Sequence, residues 1–416
     1  MFGLLRKRGV LFIGLSNTVS QLGDRLTYMV IITLIGMMSP GRISAFSEFS
    51  ATFTLPIILL SPFVGVLIDH GNKQIIMYRC HLIQSILIFI TPTFIALTRS
   101  MTPVWILVVL FYSLEAFNST SRNSVVPDLV DYDDLVPANS IINTLSRIAT
   151  FIGMVGGGIL IAKVGWRYGF YINATTHLIA GILVLGMGAR ILFEPVRKLE
   201  FSLTKELKKS FNLFLADLKE LGILITKDRM VVFVMLSVLV LPFVAAVAHT
   251  VLVFLVQQQF ELGTAGVGIF GGVIGIGMLL GAVLMGYFGR NICRGKIIIF
   301  SIAGLAISFF IGPFFVTPFF LYFIAFISGV IFSFIGIAQD TILQEDVIKG
   351  IRGRIFATKE FILNVTLLLS AIFVGVISNF VNPYTIIRFA GIFLFLILVF
   401  AFFIYRSIPH EIRSKL

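Results

Sequence analysis

Long apolar runs separated by short polar turns make up nearly all of this chain. A helical membrane span needs about 20 mostly apolar residues. Twelve runs qualify, at roughly 10–38, 44–68, 75–98, 103–126, 137–162, 168–192, 231–258, 264–288, 297–316, 318–340, 355–381 and 384–405. They are far too long for barrel strands of about 10 residues. In lipid the backbone must satisfy its own hydrogen bonds, so each run predicts an α-helix. The expected fold is an all-α membrane protein of twelve transmembrane helices in two six-helix bundles, 1–192 and 230–416.

Between the bundles, 193–229 is the only long connection. Leu207, Phe211, Leu215 and Leu218 recur there at helical spacing opposite Lys205, Lys208, Lys209 and Asp217, which predicts an amphipathic helix on the membrane surface. The halves also echo each other: an acidic turn follows span 4 ("VPDLVDYDDLVPANS") and another follows span 10 ("ILQEDVIKGIRGR"). Paired six-span halves are an architecture of rocking transporters, with the substrate site between the repeats.

Composition excludes a soluble domain. Hydrophobic residues are 58% of the chain and charged residues 12%, against about 45–50% and 25% in soluble proteins. The net charge of +12 calls for no nucleic acid, because Lys and Arg concentrate on alternate loops. One side holds Arg6, Lys7, Arg8, Lys73, the basic 193–229 segment, Arg290, Arg294, Lys296, Lys349, Arg352, Arg354 and Arg406; the other holds Arg42, Arg99, Lys163 and Arg167. The positive-inside rule therefore predicts cytoplasmic termini, with an uncleaved first span and Cys80 and Cys293 as free thiols on the reducing face. "GRNICRGK" (289–296) has the wrong spacing for a phosphate loop, and no HExxH, GxSxG or CxxC occurs; no enzymatic activity and no cofactor are expected.

The turn "GVLIDHGNKQ" (65–74) is similar to motif A of the major facilitator superfamily, G-x-x-x-D-R-x-G-R-R. Gly65 and Asp69 match, and Lys73 keeps a charge; His70, Asn72 and Gln74 depart from the pattern. "GMVGGG" in span 5, with Gly153, Gly157 and Gly158, resembles the exporters' motif C with Met154 in place of proline. The segments following spans 4 and 10, and span 8 ("FELGTAGVGIFGGVIGIGMLLG"), resemble the bacterial efflux branch that includes enterobactin and macrolide exporters. The resemblance implies a secondary transporter, in which Asp69 would cap a neighbouring helix and gate the outward-facing state. It also implies a bacterial inner-membrane location.

Charges at mid-depth carry the candidate chemistry. Asp24 and Arg25 lie about 21 Å into span 1 at ~1.5 Å per residue, Glu115 about 18 Å into span 4, and Arg147 about 15 Å into span 5; Arg122 lies two turns from Glu115. Each charge costs at least ~2.5–3.5 kcal/mol there, so it is retained for a reason. One reading makes Asp24 and Glu115 proton carriers, with Arg25, Arg122 and Arg147 as competing counter-charges whose influence changes as the cavity wets and dries. The other makes Asp24–Arg147 or Arg25–Glu115 permanent pairs. His81, His177 and His249 lie on different spans without ligand spacing and read as polar packing; His249 and Gln257 are weak candidates for the substrate cavity. No metal site is expected.

The expected function is export of a small lipophilic compound, drug-like or siderophore-like, by alternating access in exchange for protons (or Na+). Its expected partners are the small-molecule substrate and membrane lipids, and the protein is expected to be a monomer. Alternatives are a metal-ion exporter, because "SQLGDR" and "QEDVI" resemble ferroportins, and a lipid flippase. A transport-dead sensor built on the 193–229 segment is the rival from another class.

Overall fold

A computed structural model describes residues 6–69, 71–131, 134–188, 207–208, 211–212, 216, 219, 229–288, 292–315, 317–346 and 352–408. The described residues are helical apart from short turns. The elements are α1 (Arg8–Met38), α2 (Ile43–Asp69), α3 (Lys73–Thr98), α4 (Thr102–Leu129), α5 (Leu135–Leu185), α6 (Arg229–Val238), α7 (Val240–Val247), α8 (Gly263–Phe288), α9 (Arg294–Ile311), α10 (Pro318–Asp346), α11 (Arg352–Ile377) and α12 (Pro383–Ser407). Most of the expected amphipathic segment, 193–229, lies outside the described residues.

Among the described residues, ten helices are long and apolar enough to cross a membrane. The polar residues Asn17, Gln21, Asp24 and Arg25 keep α1 out of that set. The 51-residue α5 holds two limbs, broken at Gly165, whose φ of 82° is the left-handed region that glycine enters without strain. With α1 and both limbs of α5 counted, the twelve expected helical runs are present. The run at 229–259 is continuous but irregular: α6 and α7 lead into π-helical turns at Ala248–Leu252 and Leu255–Gln259.

The chain forms two compact units. The first comprises Met1–Pro40, Leu55–Leu213 and Leu262–Ile269; the second comprises Gly41–Thr54, Phe214–Glu261 and Phe270–Leu416. In the first, α1 is the central helix, packed on both limbs of α5, with Met29 to Ile32 wholly buried. In the second the central run is α6–α7, where Phe233, Val234, Val238, Val240, Ala246 and Val247 are wholly buried and α11 and α12 pack around them. Each unit thus buries its own leading helix. Many apolar side chains on outer helices remain exposed, including Phe89, Ile182, Phe300 and Phe403, as suits a surface that meets lipid tails.

Candidate functional site

Small and polar side chains fasten α1, α3 and the second limb of α5 together. Gly23 lets α1 approach that limb, because a Cβ there would overlap Asn173 Oδ1 and Thr176 Oγ1. Asn173 donates to the Thr27 hydroxyl, and the Thr176 hydroxyl donates to Asn173 Oδ1 at 2.9 Å. Ser16 donates to the Ala180 carbonyl at 2.9 Å, Ser85 to Ala174 at 2.7 Å and Gln74 to Val184 at 2.7 Å. Each bond satisfies a polar group that lipid could not.

Asp24 and Glu115 sit within that frame. Asn17, Gln21 and Asp24 follow one face of α1 at four- and three-residue spacing. Asp24 Oδ2 accepts from Gln21 Nε2 at 3.2 Å, and its Oδ1 lies 3.3 Å from His177 Nε2 on α5, off the angle of a formed hydrogen bond. His177 Nδ1 is 3.3 Å from His81 Nδ1 on α3, and both rings are fully buried. The edge of Phe111 packs on His177 with ring centroids 5.3 Å apart. On α4, Glu115 Oε2 accepts from Asn118 at 3.1 Å and, more weakly, from Gln84 at 3.5 Å. Asp24 and Glu115 lie within electrostatic reach of each other.

Neither expected permanent pair forms: among the described residues, Asp24 has no contact with Arg147, nor Glu115 with Arg25, within ion-pair distance. Arg122 donates instead to Asn17 Oδ1. The Arg25 stem packs where Gly153 leaves room, a Cβ at Gly153 coming within 2.8 Å of Arg25 Cβ. Arg147 is exposed on the first limb of α5, with no ion pair among the described residues. The acids are therefore held by amides and an imidazole rather than by cations. A hydrogen bond to a charged group contributes about 1.5–3 kcal/mol, so the two amide donors on Glu115 are of the size needed to offset ~2.5–3.5 kcal/mol of intramembrane charge, while Asp24 has the one formed bond from Gln21. Amide groups also suit either protonation state: the NH2 donates to a carboxylate and the carbonyl accepts from a carboxylic acid.

The remaining candidates lie elsewhere. Lys73 Nζ donates to Ser124 O at 2.9 Å and pairs with Asp128 at 2.8 Å, tying the start of α3 to the end of α4. Asn72 caps α3 by accepting from the Ile75 amide at 3.0 Å. Gly65 has open space at its Cβ; Asp69 ends α2, and its side chain lies outside the described residues. Lys7, just ahead of α1, bonds Asp134 at 2.8 Å and Asp131 at 3.2 Å, and these carboxylates push its ammonium up from the ordinary value. Gly157 packs on Leu26 of α1, and Gly158 meets α8, where a Cβ would lie 2.9 Å from both Gly268 Cα and Thr264 O. Thr33 and Thr264 share a hydrogen bond of 2.6 Å beside that crossing. His249 and Gln257 fall in the π-helical turns of the second unit.

Sequence reading missed the imidazole contact. His81 and His177 stand 96 residues apart, and no local spacing announces such a neighbour. A signal existed in the shared faces: His81 with Gln84 on α3, and Glu115, Asn118 and Arg122 on α4, each repeat a polar position at helical spacing.

The sequence profile of the Major Facilitator Superfamily matches residues 13–358. The chain belongs to that superfamily. It is a multi-pass membrane transporter, and this superfamily's members are not enzymes. Among curated proteins it is similar to the candidate bacilysin exporter BacE of Bacillus subtilis, 25% identical over 332 residues and covering 77% of each chain. It is also similar to macrolide efflux protein A of Streptococcus pyogenes, 24% identical over 367 residues, 86% of this chain and 87% of that one. Among solved structures, the nucleoside transporter NupG shares the facilitator fold with a TM-score of 0.72, at 14% identity over 96% of this chain and 100% of that one.

Proposed function

We propose that this facilitator exports a small, lipophilic compound across a bacterial inner membrane by alternating access, in exchange for protons carried by Asp24 and Glu115. The carrying observation is that both acids are partly buried in one polar cluster and held by neutral partners. A carboxylate locked to arginine is pinned in its charged state; one held by Gln21 and His177, or by Asn118 and Gln84, can gain and lose a proton without breaking a salt bridge. Similarity to a macrolide efflux protein and a candidate bacilysin exporter supports outward transport of an organic compound.

The test is efflux of a lipophilic fluorescent cation from cells lacking their own pumps, with and without a protonophore, for wild type, Asp24→Asn and Glu115→Gln. Efflux by wild type that collapses with the protonophore and with Asp24→Asn, at unchanged expression, is the expected result. Efflux that persists through the protonophore would remove proton exchange from the mechanism.

A further inference from the structure

The Asp24 carboxylate, His177 and His81 form a line through the interior of the first unit, with Gln21 at the Asp24 end and Gln84 beside His81. Its two links, Asp24 Oδ1 to His177 Nε2 and His177 Nδ1 to His81 Nδ1, are both 3.3 Å. His177 Nε2 and Asp24 Oδ1 face each other, and neither has a formed hydrogen bond to any other group. The rings are held in place: Ser85 and Gln74 fasten α3 to α5 on either side of His81, and Phe111 closes over His177.

We infer that His177 and His81 are a proton wire to Asp24, in which the tautomer of His177 and the protonation of Asp24 are a single variable. The inference rests on the proton-coupled reading above for its purpose, but not for its chemistry. A neutral imidazole has one N–H and one bare nitrogen, and only one proton fits between two Nδ1 atoms. With Asp24 ionised, His177 carries its proton on Nε2, facing the carboxylate. Its bare Nδ1 then accepts from His81 Nδ1–H, which leaves His81 Nε2 bare.

A proton arriving at His81 Nε2 forms an N–H bond there. His81 releases its Nδ1 proton to His177 Nδ1, and His177 releases its Nε2 proton to Asp24. Three bonds to hydrogen form and two break, and the carboxylate becomes a carboxylic acid donating to a now bare His177 Nε2. Both rings are neutral before and after. That matters because Arg25 of α1 and Arg122 of α4 stand in the same neighbourhood, together with Glu115 and Tyr112 of α4. A resting imidazolium would add a third cation, whereas a wire charges a ring only in passage. Gln84, one turn beyond His81 on α3, reaches Glu115 at 3.5 Å, so the second acid stands near the far end of the line.

The decisive experiment is nitrogen-15 NMR of histidine-labelled full chain in lipid nanodiscs, with His177 assigned by its loss in His177→Asn. On acidification, His177 is expected to pass from the Nε2–H to the Nδ1–H tautomer at the same midpoint as the Asp24 carboxyl band followed by infrared difference spectroscopy. In Asp24→Asn the tautomer should no longer respond to pH. A tautomer that stays fixed while Asp24 titrates, or a His177 that becomes doubly protonated over that range, overturns the wire.

Transport supplies a separate arm. His177→Gln should slow proton-driven net efflux on the order of 10²-fold while sparing exchange of substrate for substrate, which moves no net proton. Equal loss of both would make His177 a structural residue and overturn the inference. If wild-type efflux ignores a protonophore, the proposed coupling fails on its own, and the spectra still decide whether the imidazoles and Asp24 titrate as one.

Discussion

The two units treat buried charge differently. In the second, Asp340 of α10 pairs directly with Lys359 of α11, a side chain that is nearly inaccessible while its partner is about half exposed. Gln339, beside it, donates to the Ser237 hydroxyl at 3.0 Å. In the first unit, Asp24 and Glu115 are surrounded by amides and an imidazole, while Arg122 bonds Asn17 instead of an acid. A pair such as Lys359–Asp340 resists change, because losing one charge strands the other. An acid held by ambivalent neutral groups has two acceptable states. The difference teaches that the amount of intramembrane charge is less informative than the nature of its partners.

The largest expected effect breaks the first side of this comparison. Asp24→Asn should lower protonophore-sensitive efflux on the order of 10²-fold, with expression and thermal stability close to wild type, because Asn can keep the Gln21 contact. A large drop in melting temperature would instead put Asp24 among the packing residues. The second unit should show the opposite profile. Asp340→Ala strands a buried ammonium and should cost about 2–3 kcal/mol, somewhat less than the 3–5 typical of fully buried pairs. Lys359→Met leaves a half-exposed carboxylate that water can serve, and should cost under about 1 kcal/mol. Thermal unfolding of the detergent-solubilised chain measures both, and equal costs would contradict the assigned asymmetry.

A smaller effect separates glycines that packing requires from those it does not. Gly158→Ala forces a methyl against the backbone of α8 and should destabilise by about 1–3 kcal/mol. Gly156→Ala, with nothing within 4 Å of its Cβ, should be neutral or stabilising by up to about 1 kcal/mol. The smallest effect belongs to the partly exposed Lys73–Asp128 pair, where Lys73→Ala should change stability by roughly 0.2–1 kcal/mol. If the motif A lysine does more than fasten α3 to α4, that variant should lose transport out of proportion to stability.

Much of this was legible in the chain. Helix runs, the break between Lys163 and Arg167 and the unusual depth of Asp24 follow from hydropathy and length, which are local properties. The expected boundaries of span 11, 355–381, differ from the observed α11, Arg352–Ile377, by a few residues at each end, because the helix begins on the polar Arg352 and Arg354 while the apolar Phe380 and Val381 of the following turn extend the hydropathy run. The partners of the acids were not legible. Arg147 has the right depth to serve Asp24 but an exposed position on its helix, and depth is read from a sequence far more easily than facing direction. His177 lies about as deep in its own span as Arg147 does, and it acquires its meaning only from the fold that brings α5 against α1 and α3.

The π-helical turns at 248–252 and 255–259 also act as a phase setting. Each holds one residue more than an α-turn, so it takes up that residue within a single turn instead of passing about 100° of rotation down the helix. Deleting a single residue between Ala248 and Leu252 would restore the ordinary ladder and leave Gln257 on the side it faces now. The same deletion in a plain α-helical stretch would swing everything downstream by that angle, so these turns are places where the run can lose a residue without turning its glutamines.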